Sequence, residues 1–171
     1  MNTASGSGAM YLNTTGANNT AIGFSALFNN VAGSNNTAVG LEALQSNTSG
    51  SNLTAIGFQA LFTNSSGVEN TALGYQSLLL NTAGSYNTGS GMYALRNNTT
   101  GGENSAFGAY ALIQNTIGNY NTSAGTSSLR LNVSGSRNAA FGNSALYSNT
   151  SGNDNSSFGY GSLYRNTLGY Y

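Results

Sequence analysis

"GANNTAIGFSALFNNVA" (residues 16–32) runs directly into "GSNNTAVGLEALQSNTS" (residues 33–49). The second stretch keeps Gly, Asn, Thr-Ala, Gly, Ala-Leu and Asn at the same offsets and changes nearly everything between them. If residue 16 is slot 1 of a 17-residue unit, Gly16, Gly33 and Gly50 open a slot-1 series that continues unbroken to Gly169. Gly23, Gly40 and Gly57 belong to a slot-8 series running from Gly6 to Gly159. The two series hold all but four of the 24 glycines, so glycine here marks turns and close approaches of backbone and is not flexible filler.

The other columns keep the same step. Slot 4 is Asn19, Asn36, Asn70, Asn87, Asn104, Asn121, Asn138 and Asn155, with Leu53 as the exception. Slot 12 is Leu27, Leu44, Leu61, Leu78, Leu95, Leu112, Leu129, Leu146 and Leu163, preceded by Met10. Slot 15 is Asn throughout, from Asn13 to Asn166. A unit of 17 is shorter than the two-helix repeats of about 33 to 47 residues and the leucine-rich repeats of about 20 to 29.

It suits one coil of an all-β parallel β-solenoid, a β-roll of ten 17-residue coils. Each coil is expected to hold two strands of about five or six residues and two turns. Residues 1–171 then form a single repeat domain with no evident capping unit. Slots 4 to 9 read as one strand. Slots 11 to 15 read as a second short strand or a helical turn, because Ala and Leu are also good helix formers. The absence of Pro leaves every backbone N–H free to enter a ladder.

Stacked coils repeat at about 4.8 Å, so equal side chains pile into columns, and Asn columns are expected to form amide ladders along the turns. Alternation along slots 4 to 9 turns the small slots 6 and 8 to one face and slots 5, 7 and 9 to the other. Slots 7 and 9 form an apolar stripe of varied size: Ile22, Phe24, Val39, Leu41, Ile56, Phe58, Leu73, Tyr75, Phe107, Phe141, Phe158 and Tyr160. A close-packed interior tolerates such variation poorly, so the stripe is expected to face other chains, with plain solenoid interior as the competing reading. Self-association is thus expected, sideways through the stripe and lengthwise through open coil ends, as a filament subunit or a slice of a longer shaft.

Composition narrows the chemistry. Four basic and four acidic residues in 171, with no Lys, release too few counterions for nucleic-acid binding. No apolar run approaches the length of about 20 residues that a membrane helix needs, so membrane insertion is not expected. Without Cys or His the chain has no thiol nucleophile and no zinc-type ligand set, and four scattered acids offer no calcium cage; no metal and no cofactor is expected. Glu69 and Glu103 share slot 3 two coils apart, about 9.6 Å, but Tyr86 stands between them and nothing supports them as an acid and base. No catalytic residue is assigned and the chain is read as non-enzymatic.

Arg137 and Asp154 share a slot in adjacent coils and are expected to pair on the surface. Glu42, Arg96, Arg130 and Arg165 fall in variable slots that look solvated. Asn-x-Ser/Thr triplets, among them Asn18, Asn47, Asn97 and Asn149, are a weak hint of glycosylation in so Asn-rich a chain. A Thr column at slot 5 (Thr20, Thr37, Thr54, Thr71, Thr88) raises ice binding as an alternative function, although it lapses at Ala139.

At "NNTAIG" (18–23), "NNTAVG" (35–40) and "LTAIG" (53–57) the chain resembles the head repeats of trimeric autotransporter adhesins. It is still more similar to the NTAIGYxALxxNTTG repeats in shafts of phage-type tail fibres and related bacterial surface fibres. The resemblance implies a parallel β-roll, homotrimeric association about an axis, an extracellular location on a cell surface, filament or virion, and passive contact with a surface glycan or receptor. It also keeps open a polysaccharide-binding or polysaccharide-cleaving tail-fibre segment.

Overall fold

The computed structural model describes residues 1–169, which wind into a parallel β-solenoid with no helix. Each coil contributes one strand at slots 5 to 7: β1 (Thr3–Ser5), β2 (Thr20–Ile22), β3 (Thr37–Val39), β4 (Thr54–Ile56), β5 (Thr71–Leu73), β6 (Thr88–Ser90), β7 (Ser105–Phe107), β8 (Thr122–Ala124), β9 (Ala139–Phe141) and β10 (Ser156–Phe158). They form one ten-stranded sheet in chain order. Thr20 pairs with Thr37, Ala21 with Ala38 and Ile22 with Val39, and this 17-residue register holds from β1 to β10. Nine steps of about 4.8 Å give a rod about 43 Å long.

The two longer strands expected per coil are not what the backbone does. One strand has three residues, and slots 8 to 15 form successive turns, neither a second strand nor a helical turn. Leu44 shows why: it sits at φ 52°, as do its slot-12 equivalents within a few degrees, and slot 10 is left-handed as well (Glu42, 57°). Residues with positive φ at slots 10 and 12 bend the chain too sharply for either regular structure. Leucine tolerates this conformation badly, at roughly 1 kcal/mol or more per residue. Complete burial offsets that cost by about 1.5–3 kcal/mol for each Leu side chain.

The turns are still bonded from coil to coil. Leu27 N–H donates to Ala43 O (3.0 Å), Asn29 N–H to Gln45 O (2.9 Å), Val31 N–H to Thr48 O (3.0 Å), and Glu42 N–H to Phe24 O (2.9 Å). Most backbone donors outside the strands thus find partners in a neighbouring coil or within their own turn, which is the physical reason a chain of this type has no use for Pro.

The core is thin. One Leu column is flanked by the small slot-6 and slot-11 columns, mostly Ala, all with negligible exposure from Ala21 to Leu146. Beside it run two columns of buried asparagine. In slot 15 each amide donates to the one before it, for example Asn98 Nδ2 to Asn81 Oδ1 (2.8 Å) and Asn115 Nδ2 to Asn98 Oδ1 (2.8 Å), and also to a slot-1 carbonyl three residues on (Asn98 to Gly101 O, 2.8 Å).

Slot 4 corrects the expectation of amides stacked on amides along its whole length. Asn19 Oδ1 accepts the backbone N–H of Asn36 (2.9 Å), and Asn19 Nδ2 donates to Gly33 O (2.8 Å). Amide-to-amide bonds join this column only from Asn87 onward (Asn104 Nδ2 to Asn87 Oδ1, 3.2 Å). In the last coil the columns loosen: Leu163 is 37% exposed, and Asn166 Nδ2 turns to Asn155 Oδ1 (3.3 Å) and leaves Asn149 Oδ1 without a donor.

The slot-1 carbonyl ties the two Asn columns together. Gly33 O accepts from Asn19 (2.8 Å) and from Asn30 (2.9 Å). A Cβ on Gly16 would lie 2.3 Å from that oxygen and 2.5 Å from Asn13 Oδ1, so the glycine serves close approach. At slot 8 the need is double: Gly40 has φ +134°, and a Cβ there would lie 2.5 Å from Gly57 O.

Candidate functional surfaces

With slot 6 turned inward, slots 5 and 7 of each strand face out, and slot 9 projects beside them from the first turn. Ile22 is 44% exposed, Phe24 54% and Phe107 47%, while Val39 is half-buried; the stripe lies outside the coil and runs the length of the rod. Where aromatic residues adjoin, they stack: Phe58 on Tyr75 at 5.1 Å and Phe141 on Phe158 at 5.1 Å between ring centres. Ser90, Ala109, Ala124, Thr126 and Asn143 interrupt the apolar run.

The slot-3 turn carries Asn18, Asn35 and Asn52 as an exposed amide file (3.3 and 3.1 Å), then Glu69, Tyr86, Glu103 and Tyr120. Tyr86 and Glu103 border a broad, open depression, and among the described residues no other ionisable side chain lines it. In the same column Arg137 grips Asp154 with two parallel bonds, Nε to Oδ1 at 2.6 Å and NH2 to Oδ2 at 2.8 Å. The hydrogen bond from Arg137 holds the Asp154 carboxyl below its ordinary range, and the same bond raises the Arg137 guanidinium.

The glycosylation triplets divide sharply by column. Asn47 and Asn149 are locked in the buried slot-15 ladder, whereas Asn18 is exposed and Asn97 half-buried.

Three of the charges expected to be solvated are only partly so. Glu42, Arg96 and Arg130 are half-buried, and only Arg165 is open. Glu42 begins a relay up slot 10: Gln59 Nε2 donates to Glu42 Oε2 (2.7 Å), Gln76 Nε2 to Gln59 Oε1 (2.7 Å), and Arg96 Nε to Gln76 Oε1 (3.3 Å). Where the relay ends, slot 10 turns aromatic. Tyr93 and Tyr110 lie 5.5 Å apart, with Tyr75 edge-on to Tyr93 at 5.3 Å. The Arg96 guanidinium lies 5.6 Å from the Tyr93 ring centre, and that of Arg130 lies 5.0 Å from Tyr110 and 5.8 Å from Tyr147. Tyr93, Arg96, Tyr110 and Ile113 border an open surface depression of about 170 Å³. The signal in the sequence is the pairing of aromatic slot 10 with basic slot 13, as in "YALR" (93–96), legible only once the coils are aligned.

No family model, curated protein or solved structure matches this chain. Fold and surfaces therefore define its class: a 17-residue-coil β-solenoid with a thin Leu core, buried Asn ladders and an outward apolar stripe.

Proposed function

We propose that this chain is a non-enzymatic structural element of an extracellular fibre, a subunit or segment of a shaft on a cell surface, filament or virion, with an adhesive role. Coils associate sideways through slots 7 and 9, as a homotrimer in the fibres the sequence resembles, and lengthwise by coil-on-coil stacking. The observation that carries this reading is the long, interrupted apolar stripe on the outside of a rod whose coils are all bonded to one another. Such a stripe exceeds the few hundred Å² that soluble monomers usually show to water. Ladders of backbone and amide bonds would supply stiffness, and the variable outer slots would supply contact.

Sedimentation and negative-stain microscopy test it. Trimers or larger species are expected at micromolar concentration, with loss of lateral association in Ile56→Asp and Phe58→Asp, which leave the core untouched. A wild-type chain that stays monomeric at high micromolar concentration overturns the reading.

One observation favours a second reading. The hydroxyl-bearing residues Thr20, Thr37, Thr54, Thr71 and Thr88 stand in register on the outward side of the sheet, a regular file of the kind ice binding requires. Thermal hysteresis with crystal faceting would put ice binding ahead of the fibre.

A further inference from the structure

We propose that Tyr147 and Tyr164 form an oxidative cross-linking site, at which a one-electron oxidant of the peroxidase type joins the two rings as dityrosine and ties one coil covalently to the next. The site lies within a single chain and does not depend on fibre assembly.

Composition sets the chemistry. With no Cys the coils cannot be locked by a disulfide, and with no Lys they cannot be joined by a lysine isopeptide bond. The chain has 11 Tyr and no Trp, so no indole competes with the phenols as a one-electron donor.

Geometry selects the pair. Tyr147 and Tyr164 share slot 13 in adjacent coils, with ring centres 4.8 Å apart and planes within 11° of parallel. A centre-to-centre distance close to the coil step of about 4.8 Å sets each ring over its equivalent, ortho carbon facing ortho carbon. No other tyrosine pair is so placed among the described residues. Tyr93 and Tyr110 are tilted by 38° at 5.5 Å, and Tyr75 stands edge-on to Tyr93. Tyr11 and Tyr75 do stack face to face, but on Phe28 and Phe58, which have no phenolic proton to lose.

The surroundings allow the rings to close on each other. Tyr164 is 43% exposed, and its coil is the looser one, with Leu163 partly open and Asn166 turned away from Asn149 Oδ1. Ser148 N–H still donates to Tyr164 O (3.1 Å) and keeps the two coils in register. Along the same column the Arg130 guanidinium lies 5.8 Å from the Tyr147 ring and disfavours a positive charge left there. The electron and the phenolic proton therefore leave together, yielding the neutral radical that couples.

Each tyrosine gives one electron and its phenolic proton to the oxidant. The two phenoxyl radicals then form a carbon–carbon bond between their ortho positions, and the hydrogens on those carbons move to the phenolic oxygens and restore both rings. With hydrogen peroxide as terminal oxidant, two tyrosines and one peroxide become one dityrosine and two waters. The product would hold the looser coil where its own hydrogen bonds hold it least.

Treatment of the purified chain with a haem peroxidase and hydrogen peroxide at low micromolar concentration tests the assignment. Dityrosine emission and a loss of two hydrogen masses are expected in the single-chain band of a denaturing gel, mapped by tandem mass spectrometry to Tyr147 and Tyr164. Tyr147→Phe and Tyr164→Phe should each abolish that link with circular dichroism unchanged, since Phe stacks as Tyr does, while Tyr93→Phe and Tyr160→Phe should leave it in place. Amide exchange over residues 163–169 should slow about tenfold or more on linking. The proposal is overturned if the single-chain band carries no dityrosine, if the link survives in either of the first two variants or maps mainly to another pair, or if exchange over that segment is unchanged.

Discussion

Leu53 occupies the slot where every other coil has asparagine, and the backbone N–H of Asn70, one coil further on, has no acceptor among the described residues. One coil later the regular arrangement returns, with Asn87 N–H donating to Asn70 Oδ1 at 2.8 Å. Gly67 O likewise has only Asn64 (3.0 Å) where its equivalents have two amide donors. Leu53→Asn should supply both missing partners. A buried unpaired donor costs about 1–3 kcal/mol, and each new bond contributes about 1 kcal/mol net, against about 2 kcal/mol of lost apolar burial. A gain of about 1 kcal/mol is expected, raising the thermal midpoint by about 2–4 °C. A lower midpoint would mean that apolar contact outweighs the amide in this column.

Ser77 and Gly89 form a compensating pair in the core. Ser77 Oγ donates to Gly89 O (2.9 Å) and fills the space of a slot-6 methyl, since a Cβ on Gly89 would lie 2.5 Å from Ser77 Oγ. Gly89→Ala alone should destabilise by about 1–3 kcal/mol through overpacking and a displaced hydroxyl. Combined with Ser77→Ala it restores the prevailing Ala–Ala arrangement and should recover most of the loss. Denaturant titration of the four proteins of the cycle should give a coupling above about 1 kcal/mol. Additive effects would show that the two side chains do not share the space.

Two neighbouring glycines should respond in opposite ways. A Cβ on Gly84 would meet Gly101 O at 2.3 Å and Asn81 Oδ1 at 2.5 Å, inside the junction of the two Asn columns. Gly84→Ala is therefore expected to cost more than about 4 kcal/mol and to abolish the cooperative transition by circular dichroism. Gly102→Ala, in a slot filled elsewhere by Ala17, Ser34 and Val68, should fall within about 0.5 kcal/mol of wild type.

The period, the Leu core and the buried Asn columns were legible because in a solenoid each residue's spatial neighbours are its own equivalents 17 positions away. Packing therefore leaves a direct trace as repetition. The left-handed backbone at Leu44 was not legible, because leucine has no preference for it; closure of the coil imposes it against local propensity. The same bend is why "ALFNN" (26–30), which reads equally well as a strand or a helical turn because Ala and Leu suit both, forms neither. Glu42, Arg96 and Arg130, read singly in variable slots, resembled solvated surface. Only coil alignment brings Arg130 over both Tyr110 and Tyr147.

Acid should act on the surface pair in a defined direction. Asp154 has its carboxyl held below the ordinary value of 3.8 by the Arg137 bond, so its contribution is present above that value and is lost as pH falls through the lowered folded-state value. Both side chains are more than half exposed, and the effect on overall stability should be small. Carbon-detected NMR titration should place the Asp154 midpoint below that of an ordinary aspartate and return it toward 3.8 in Arg137→Gln. An unchanged midpoint in the variant would remove the ion pair as the cause.

The slot-15 ladder should be most sensitive to losing its donors. Asn98 donates to Asn81 Oδ1 and to Gly101 O, both at 2.8 Å, while its own oxygen accepts from Asn115. Asn98→Asp keeps the shape but replaces the donating group with a second acceptor, facing two oxygens in a fully buried column. At neutral pH the stranded charge should cost about 3–5 kcal/mol. Burial and the facing oxygens raise the folded-state pKa of the introduced carboxyl, so the penalty is full well above it and shrinks as pH falls and the carboxyl regains a proton to donate. The variant should thus gain stability relative to wild type on acidification, read from thermal midpoints across a pH series. Asn97→Asp is the control: that side chain is half-buried and its Oδ1 already accepts from Arg96 at 3.1 Å, so a carboxylate there should be tolerated at neutral pH. Equal tolerance at both positions would mean that hydrogen bonds along the amide column do not hold successive coils together.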